Sequence, residues 1–120
     1  MKNKVTLNLK WFTYNQNNSG GSFHKDKDVD VYVIIQATSF KEANDFAKAI
    51  GIYFGGVAYG VDCGCCGDRW YPADKMDGKT SPEIYGKKIK IDKRTNKKQD
   101  AEFEKGKGRV KVYPYGSIEV

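Results

Sequence analysis

The sequence predicts an α+β domain with a mainly antiparallel sheet, one helix packed on a face of that sheet and a long ordered glycine-rich loop. Three observations predict this fold. Several segments alternate apolar and polar residues with the period of a strand. One segment has the period of an amphipathic helix. A length of 120 residues favours a single ligand-binding domain over residues 1–120, because cores of this size rarely split.

Two strands are predicted before the helix. Apolar residues alternate from Val5 to Trp11, and the polar residues between them indicate one buried face. The polar, glycine-containing segment 15–22 favours turns. The second strand is predicted at residues 29–36, where valines and isoleucines occupy both faces. We therefore expect both faces of this strand to be partly covered.

One helix of about three turns is predicted after Ser39. Ser39 and Glu42 have the spacing of a capping box, in which the hydroxyl and the carboxylate bind free backbone N–H groups. Gly51 stands where a left-handed residue would end the helix. The apolar stripe consists of Phe40, Ala43, Phe46, Ala47 and Ile50. This stripe should pack on the sheet.

The segment after the helix is predicted to contain a strand and a functional loop. A strand is expected at residues 52–54, and Gly55-Gly56 indicates a bulge or the close approach of another group. Residues 59–82 contain glycines, prolines and little periodicity. Structureless connections of this length are uncommon in small domains unless they have a function. We therefore expect residues 59–82 to form an ordered functional loop.

The C-terminal part is predicted to be a basic pair of strands. Strands are expected at residues 84–91 and 109–113, separated by a charged turn at residues 93–107, with Ile118 and Val120 closing the chain. The net charge is +6, and residues 87–111 hold 11 Lys and Arg against 4 Asp and Glu. This asymmetry suits an anionic partner, although a solvated lysine-rich hairpin explains it more simply.

Cysteine content and hydropathy predict a cytoplasmic protein. The three cysteines lie within residues 63–66, and an odd number so close together forms no disulfide framework. No apolar run has the length of a membrane span, and the first residues do not form the apolar core of a signal peptide. We expect free thiols, a reducing compartment and no membrane partner.

Catalysis is not predicted. The only histidine is His24, and nothing in the sequence places a nucleophile beside it. Asp26, Asp28 and Asp30 alternate along the start of a strand, which is typical of a solvated face rather than an acid–base pair. No glycine-rich phosphate motif of the Walker or Rossmann form is present. We expect a binding protein without a cofactor.

The cysteines also raise the question of a zinc site. Cys63, Cys65 and Cys66 together with His24 would make a Cys3His set. Structural zinc sites usually take their ligands as two separated pairs, and adjacent cysteines in one short loop give awkward geometry. We therefore predict no metal ligand, and expect the cysteines to pack the base of the loop as small apolar residues.

Residues 67–72 carry the parts of a nucleotide site. Arg69 offers a planar fork of donors for phosphate, and Trp70 and Tyr71 offer aromatic faces for a base. An equally weighted alternative is that the two aromatic residues anchor the loop, while Arg69 pairs with Asp68 or Asp62. The basic and aromatic residues from 109 to 115 repeat this chemistry, but an amphipathic strand explains them better.

Three motifs resemble a known family. Residues 14–23 (YNQNNSGGSF), 53–57 (YFGGV) and 62–70 (DCGCCGDRW) look like those of the Thoeris anti-defence sponges, a family of small phage and prophage proteins. The resemblance covers about residues 11–86, and CCGDRW is its most specific part. It implies binding and sequestration, without cleavage, of the cyclic ADP-ribose isomers that bacterial TIR-domain immune enzymes make. It also implies a homo-oligomer, and for some members the uptake of cyclic oligonucleotides at separate sites.

The resemblance and the side-chain chemistry together define the expected site. Arg69 would hold phosphate, Trp70 or Tyr71 would face adenine, and Asn17 and Ser22 would meet ribose hydroxyls. The expected ligand-binding residues are Asn17, Ser22, Phe23, Arg69, Trp70, Tyr71 and Arg109. The last of these rests on its chemistry alone. The expected location is the cytoplasm of an infected bacterial host.

Two alternatives stay open beside the sponge hypothesis. One is a small basic protein that binds nucleic acid through residues 87–111, which should show a steep dependence on salt. The other is a zinc-stabilised structural or interaction module. We do not expect nucleic acid to be the main partner, because the aromatic and arginine residues of the loop are better suited to a small ligand.

Overall fold

A four-stranded mixed sheet forms the centre of the structure. The computed structural model describes residues 8–104 and 108–118. The strands are β1 Lys10–Asn15, β2 Tyr32–Ala37, β3 Glu83–Ile84, β4 Lys87–Lys88, β5 Gln99–Glu102 and β6 Arg109–Tyr113. The helices are α1 Phe40–Ala49, α2 Tyr115–Ile118 and a 3-10 helix at Ser19–Gly21. The sheet has the order β1-β2-β6-β5, and β3 pairs with β4 separately.

The strand directions confirm the predicted α+β class with mainly antiparallel pairing. β1 is antiparallel to β2, β5 to β6 and β3 to β4, whereas β2 and β6 run parallel. Helix α1 packs on one face of the sheet through Ala43 and Ala47, which share a cluster with Val33 and Ile35 of β2. The parallel pair β2–β6 lies at the centre of the sheet. Strand β1 pairs antiparallel with the outer edge of β2, and β5 pairs antiparallel with the outer edge of β6.

Alternation along β2 separates two hydrophobic clusters. Val33 and Ile35 point toward α1, and Ile34 packs against Val110 and Val112 on the opposite face. All five side chains are fully buried. Covering apolar area on both sides stabilises a strand by roughly twice what one face provides. The prediction that both faces of this strand are covered is therefore confirmed.

The first strand differs from its prediction. It runs over Lys10–Asn15, and its adjacent residues Trp11 and Phe12 are both buried, on opposite faces. The expectation of one buried face is thus wrong for this strand, because α1 and its cluster cover the side that carries Phe12. Val5 and Leu7 lie outside the described residues.

Helix α1 is confirmed with its capping box. The Ser39 hydroxyl accepts a hydrogen bond from the Glu42 backbone N–H at 3.1 Å. The Glu42 carboxylate accepts from the backbone N–H of Thr38 at 2.7 Å, one residue before the expected partner. The helix ends at Ala49 with Ile50 as its C-cap, and Gly51 follows with a φ of +110°, in the left-handed region.

The predicted strand at residues 52–54 is wrong. The Ile52 N–H donates to the Ala47 carbonyl at 3.0 Å, so this segment closes the helix C-terminus instead of pairing with the sheet. Ile52 is buried in the cluster beneath α1. The close approach expected at Gly55-Gly56 is confirmed, because a Cβ on Gly56 would overlap the Asp62 carboxylate.

The C-terminal strands also differ in part. Residues 84–91 do not form one strand, because Tyr85 and Gly86 adopt φ of 52° and 80° and turn the chain into the β3–β4 hairpin. The charged segment 93–107 contains β5, which was expected to be a turn. Strand β6 is confirmed at Arg109–Tyr113. Ile118 belongs to α2, and Val120 lies outside the described residues.

The glycine-rich segment is ordered by contacts with the rest of the fold. Residues 50–82 contain no helix or strand, apart from a β-bridge between Lys79 and Trp11. The two residues exchange backbone hydrogen bonds of 2.7 and 2.9 Å. Trp70 and Ala73 from this segment are buried in the cluster beneath α1. Among the described residues, none of the helices is both long and apolar enough to cross a bilayer.

Candidate functional site

Arg69 connects three separate parts of the loop region. One terminal nitrogen of its guanidinium donates to Gln16 Oε1 at 2.9 Å and to the Ser22 carbonyl at 2.7 Å. The other terminal nitrogen donates to the Ser19 carbonyl at 2.9 Å, and Nε donates to the Tyr53 hydroxyl at 3.1 Å. The planar fork of arginine suits several acceptors at once. Here those acceptors belong to the protein itself.

Asp62 balances the charge of this arginine. Its Oδ2 accepts from the Arg69 backbone N–H at 2.8 Å, and its Oδ1 lies 3.8 Å from Arg69 Nε. The Tyr53 hydroxyl donates to Asp62 Oδ1 at 2.6 Å. The side chains of Asp62 and Arg69 are only 1% and 14% exposed. Burial, and then the hydrogen bond to Asp62, raise the pKa of Tyr53.

Asn17 holds the cysteine loop rather than facing solvent. Its side-chain amide donates to the carbonyls of Cys66 and Asp68 at 2.7 and 3.1 Å. Its backbone N–H donates to the Arg69 carbonyl at 2.9 Å. The Asp68 carboxylate in turn accepts from the Val57 N–H at 2.8 Å. The structure thus brings together three residues that were expected to contact ligand, Asn17, Ser22 and Arg69. Their hydrogen bonds go to other parts of the protein: Asn17 binds the Cys66 and Asp68 carbonyls, and Arg69 binds the Ser22 carbonyl.

Trp70 is fully buried beneath helix α1. Its ring therefore offers no face to a ligand, and of the two residues considered for the adenine contact only Tyr71 is open to solvent. The Trp70 indole N–H has no hydrogen-bond acceptor among the described residues. For Trp70 and Arg69 the geometry agrees with the alternative in which the motif anchors the loop, with Asp62 as the partner of the arginine.

A cleft lies between two exposed tyrosines. Tyr71 is 56% exposed and Tyr85 is 71% exposed. The cavity between them has a volume of about 360 Å³. Its charged residues are Lys79, Asp77 and Glu83, and the remaining walls come from β1, residues 72–73 and Gly86. A cleft of this size falls in the range of small-ligand sites.

Phe23 and Arg109 do not take part in this cleft. Phe23 is exposed on the segment after the 3-10 helix. Arg109 lies on β6 opposite Glu102 of β5, where it lines a different cavity with Asp100 and Ala101. The basic contribution expected from Arg109 is therefore located on the β5–β6 side of the sheet.

The three thiols form a compact exposed group. The sulfur atoms of Cys63, Cys65 and Cys66 all lie within 4.8 Å of one another. The expectation that they pack the base of the loop is wrong for Cys65 and Cys66, which are exposed. A hydrogen bond from the Cys65 thiol, together with backbone N–H groups, lowers the pKa of Cys63 to about 7. The same interaction raises the pKa of Cys65. His24 belongs to a different contact, 3.2 Å from Asp26.

Sequence reasoning missed the second tyrosine of the cleft and its charged residues. The sequence placed Tyr85 within a continuous strand. The Tyr85-Gly86 pair between Ile84 and Lys87 was the available signal, since two-residue hairpin turns favour glycine. Lys79, Asp77 and Glu83 gave no comparable signal, because isolated charged residues in a loop are common.

The structure is a small α+β domain with a surface cleft lined by β1, the segment around Tyr71 and the β3–β4 turn. The chain belongs to the DUF7296 family, a domain of unknown function, whose model matches residues 9–119. No curated protein matches the chain. No solved structure matches it either.

Proposed function

We propose that the protein binds a small nucleotide in the cleft between Tyr71 and Tyr85 and holds it without converting it. The observation that carries the proposal is the pair of exposed tyrosine rings on one cleft of about 360 Å³. Aromatic side chains that line a concave surface together with a few polar groups are typical of a small-ligand site.

The charged groups of the cleft match the other parts of a nucleotide. Lys79 supplies a cation for phosphate, and tyrosine faces stack on bases. Asp77 and Glu83 can accept hydrogen bonds from ribose hydroxyls, as carboxylates do in dinucleotide sites. With one lysine and two carboxylates in the lining, we expect the phosphate to bind against Lys79 and the ribose hydroxyls to bind a carboxylate.

The role we propose for this binding is sequestration of a cyclic ADP-ribose type signal. The resemblance of the CCGDRW motif to anti-defence sponges implies this ligand class. Sequestration needs tight binding and no general base, which suits a cleft lined by aromatic and polar groups. Homo-oligomerisation and residence in the cytoplasm of an infected bacterium stay predictions attached to this role.

Charge pairing argues against a nucleic-acid surface on the basic segment. Lys87 pairs with Glu104, Lys98 lies 3.4 Å from Asp28, and Lys111 lies 2.8 Å from Asp100. Surface pairs of this kind are weak individually, but each reduces the positive field available to phosphate groups. These contacts favour a solvated hairpin, so nucleic acid is not the partner we propose.

The test measures binding of cyclic ADP-ribose isomers by calorimetry. Tyr71→Ala and Tyr85→Ala should each weaken binding by roughly 1–3 kcal/mol, the range for one base–aromatic stack. Tyr59→Ala is the matched control, because Tyr59 is 81% exposed and lines another cavity. The bound compound, released by denaturation, should have an unchanged mass. Absence of binding, a cleaved product or equal loss in the Tyr59 control would contradict the proposal.

A further inference from the structure

We propose that Cys63, Cys65 and Cys66 bind one thiophilic d10 cation, Zn²⁺ or Cu⁺, through three thiolates. This site is separate from the tyrosine cleft and does not depend on the function proposed for it. All three sulfur atoms lie within 4.8 Å of one another, and Cys63 Sγ lies 3.2 Å from Cys65 Sγ. Soft thiolate ligands select these ions over oxygen-preferring cations.

The spacing of the sulfurs is close to that of a coordinated metal. Zinc–sulfur bonds of about 2.3 Å in a tetrahedron place sulfur atoms about 3.8 Å apart. The Cys63–Cys65 distance of 3.2 Å has to widen, and the largest separation of up to 4.8 Å has to close, each by about 1 Å or less. Side-chain rotation of exposed cysteines achieves movements of this size.

Backbone hydrogen bonds fix the conformation of the thiol loop. The N–H groups of Cys66 and Gly67 donate to the Cys63 carbonyl at 3.2 and 3.1 Å, which closes a tight turn. Gly67 adopts a φ of +89°, a conformation that favours glycine. A fixed turn lowers the entropy lost when the three sulfurs converge on one ion.

Two contacts from another part of the chain hold this turn. The Ser19 hydroxyl accepts from the Cys63 N–H at 3.0 Å, and the Asn17 amide donates to the Cys66 carbonyl at 2.7 Å. Arg69 fixes the Ser19 segment in turn through the Ser19 carbonyl. The hydrogen bonds around the CCGDRW motif thus position the three thiols. In this proposal the motif both anchors the loop and holds the metal ligands in place.

The exposed thiol group can take up an ion directly from solvent. Each thiol releases its proton to solvent when the ion binds. Three protein ligands leave one position of a tetrahedral ion open for water or a small ligand. Cys65 and Cys66 are exposed, so the ion has a direct path of entry.

The experiment titrates fully reduced protein with each ion in a separate arm, against a chromophoric chelator for Zn²⁺ and one for Cu⁺. We expect one equivalent of at least one ion to bind. Cys65→Ser and Cys66→Ser, both at exposed side chains, should each weaken binding at least tenfold. Cys63→Ser should do the same if it folds. The arm with the higher affinity identifies the ion.

Two controls test whether the ion binds at the three thiols and at no other group. His24→Ala should leave the affinity unchanged, because His24 lies outside the thiol group and contacts Asp26. With Cd²⁺ as a probe, the ultraviolet thiolate-to-metal absorption should fall by about one third for each sulfur removed. Binding of neither ion, binding that survives both exposed-cysteine variants, or a Cys63–Cys65 disulfide in protein kept in reductant would overturn the proposal.

Discussion

Asp62 contacts Arg69 through both of its carboxylate oxygens. Oδ2 accepts from the Arg69 backbone N–H at 2.8 Å, while Oδ1 lies 3.8 Å from the guanidinium Nε. Gly56 lies against the same carboxylate, where the chain has no space for a side chain. Gln16, Tyr53 and the carbonyls of Ser19 and Ser22 therefore all contact one largely buried ion pair.

Arg69→Ala should destabilise the protein by about 3–5 kcal/mol, the range for removing one partner of a buried pair. Stability is lost because the buried Asp62 carboxylate no longer has a cationic partner. The Ser19 and Ser22 carbonyls also lose their hydrogen-bond donor. Urea denaturation measures the change. Arg94→Ala is the control, because Arg94 is nearly fully exposed in its pair with Asp92. Equal midpoints for the two variants would show that Arg69 does not clamp the loops.

Gly56→Ala should destabilise by about 1–3 kcal/mol through overpacking. An added Cβ would overlap the Asp62 carboxylate and lie 2.8 Å from the Tyr53 ring. Gly64→Ala is the matched control, since a Cβ there meets nothing within 4 Å and needs no unusual φ. We expect Gly64→Ala to be neutral or to stabilise by about 0.4–1 kcal/mol. Thermal unfolding of both variants in parallel distinguishes the close approach from a general effect of replacing glycine.

Trp70→Ala should cost about 3–5 kcal/mol, whereas Trp70→Phe should cost about 1–2 kcal/mol. We expect the smaller loss of stability for Trp70→Phe because the indole N–H has no acceptor among the described residues. The substitution therefore removes no hydrogen bond. Denaturant midpoints for the two variants test this. A phenylalanine variant as unstable as the alanine variant would contradict this prediction.

Alkylation of Cys63 in metal-free protein should rise with pH through a midpoint near 7, because the pKa of Cys63 is lowered to about 7. An ordinary thiol titrates near 8.5 and so reacts slowly at neutral pH. Cys65→Ala removes the thiol that donates to Cys63, the largest cause of the lowered pKa, and should move the midpoint upward. Mass spectrometry with fragmentation assigns the modified residue. An unmoved midpoint in the variant would exclude this hydrogen bond as the cause.

Local patterns predicted the elements whose side chains carry a clear period. Ser39 and Glu42 marked the start of α1, and the alternation of Val110 and Val112 gave β6 its bounds. Strand β5 was missed because Gln99–Glu102 contains a single apolar residue, so no alternation is visible. It is held at the sheet edge by its backbone pairing with β6.

The site was predictable only where side-chain chemistry determines the contact. Pairing of Arg69 with Asp62 was one of two alternatives drawn from the sequence. The contacts with the Ser19 and Ser22 carbonyls leave no mark in the sequence, because any residue supplies a carbonyl. The adjacency of the cysteines in one short loop predicted awkward geometry for a metal, whereas the turn closed by Cys66 and Gly67 onto Cys63 places the three sulfurs within 4.8 Å of one another.

The parallel pairing of β2 with β6 affects how the protein is made on the ribosome. Tyr32 lies opposite Val110, so the middle of the sheet joins the early part of the chain to its late part. While β6 is still inside the ribosome exit tunnel, β2 has β1 on one side and an unpaired edge on the other. The sheet is therefore completed only after most of the chain has been synthesised, and its edge is open to chaperones until then.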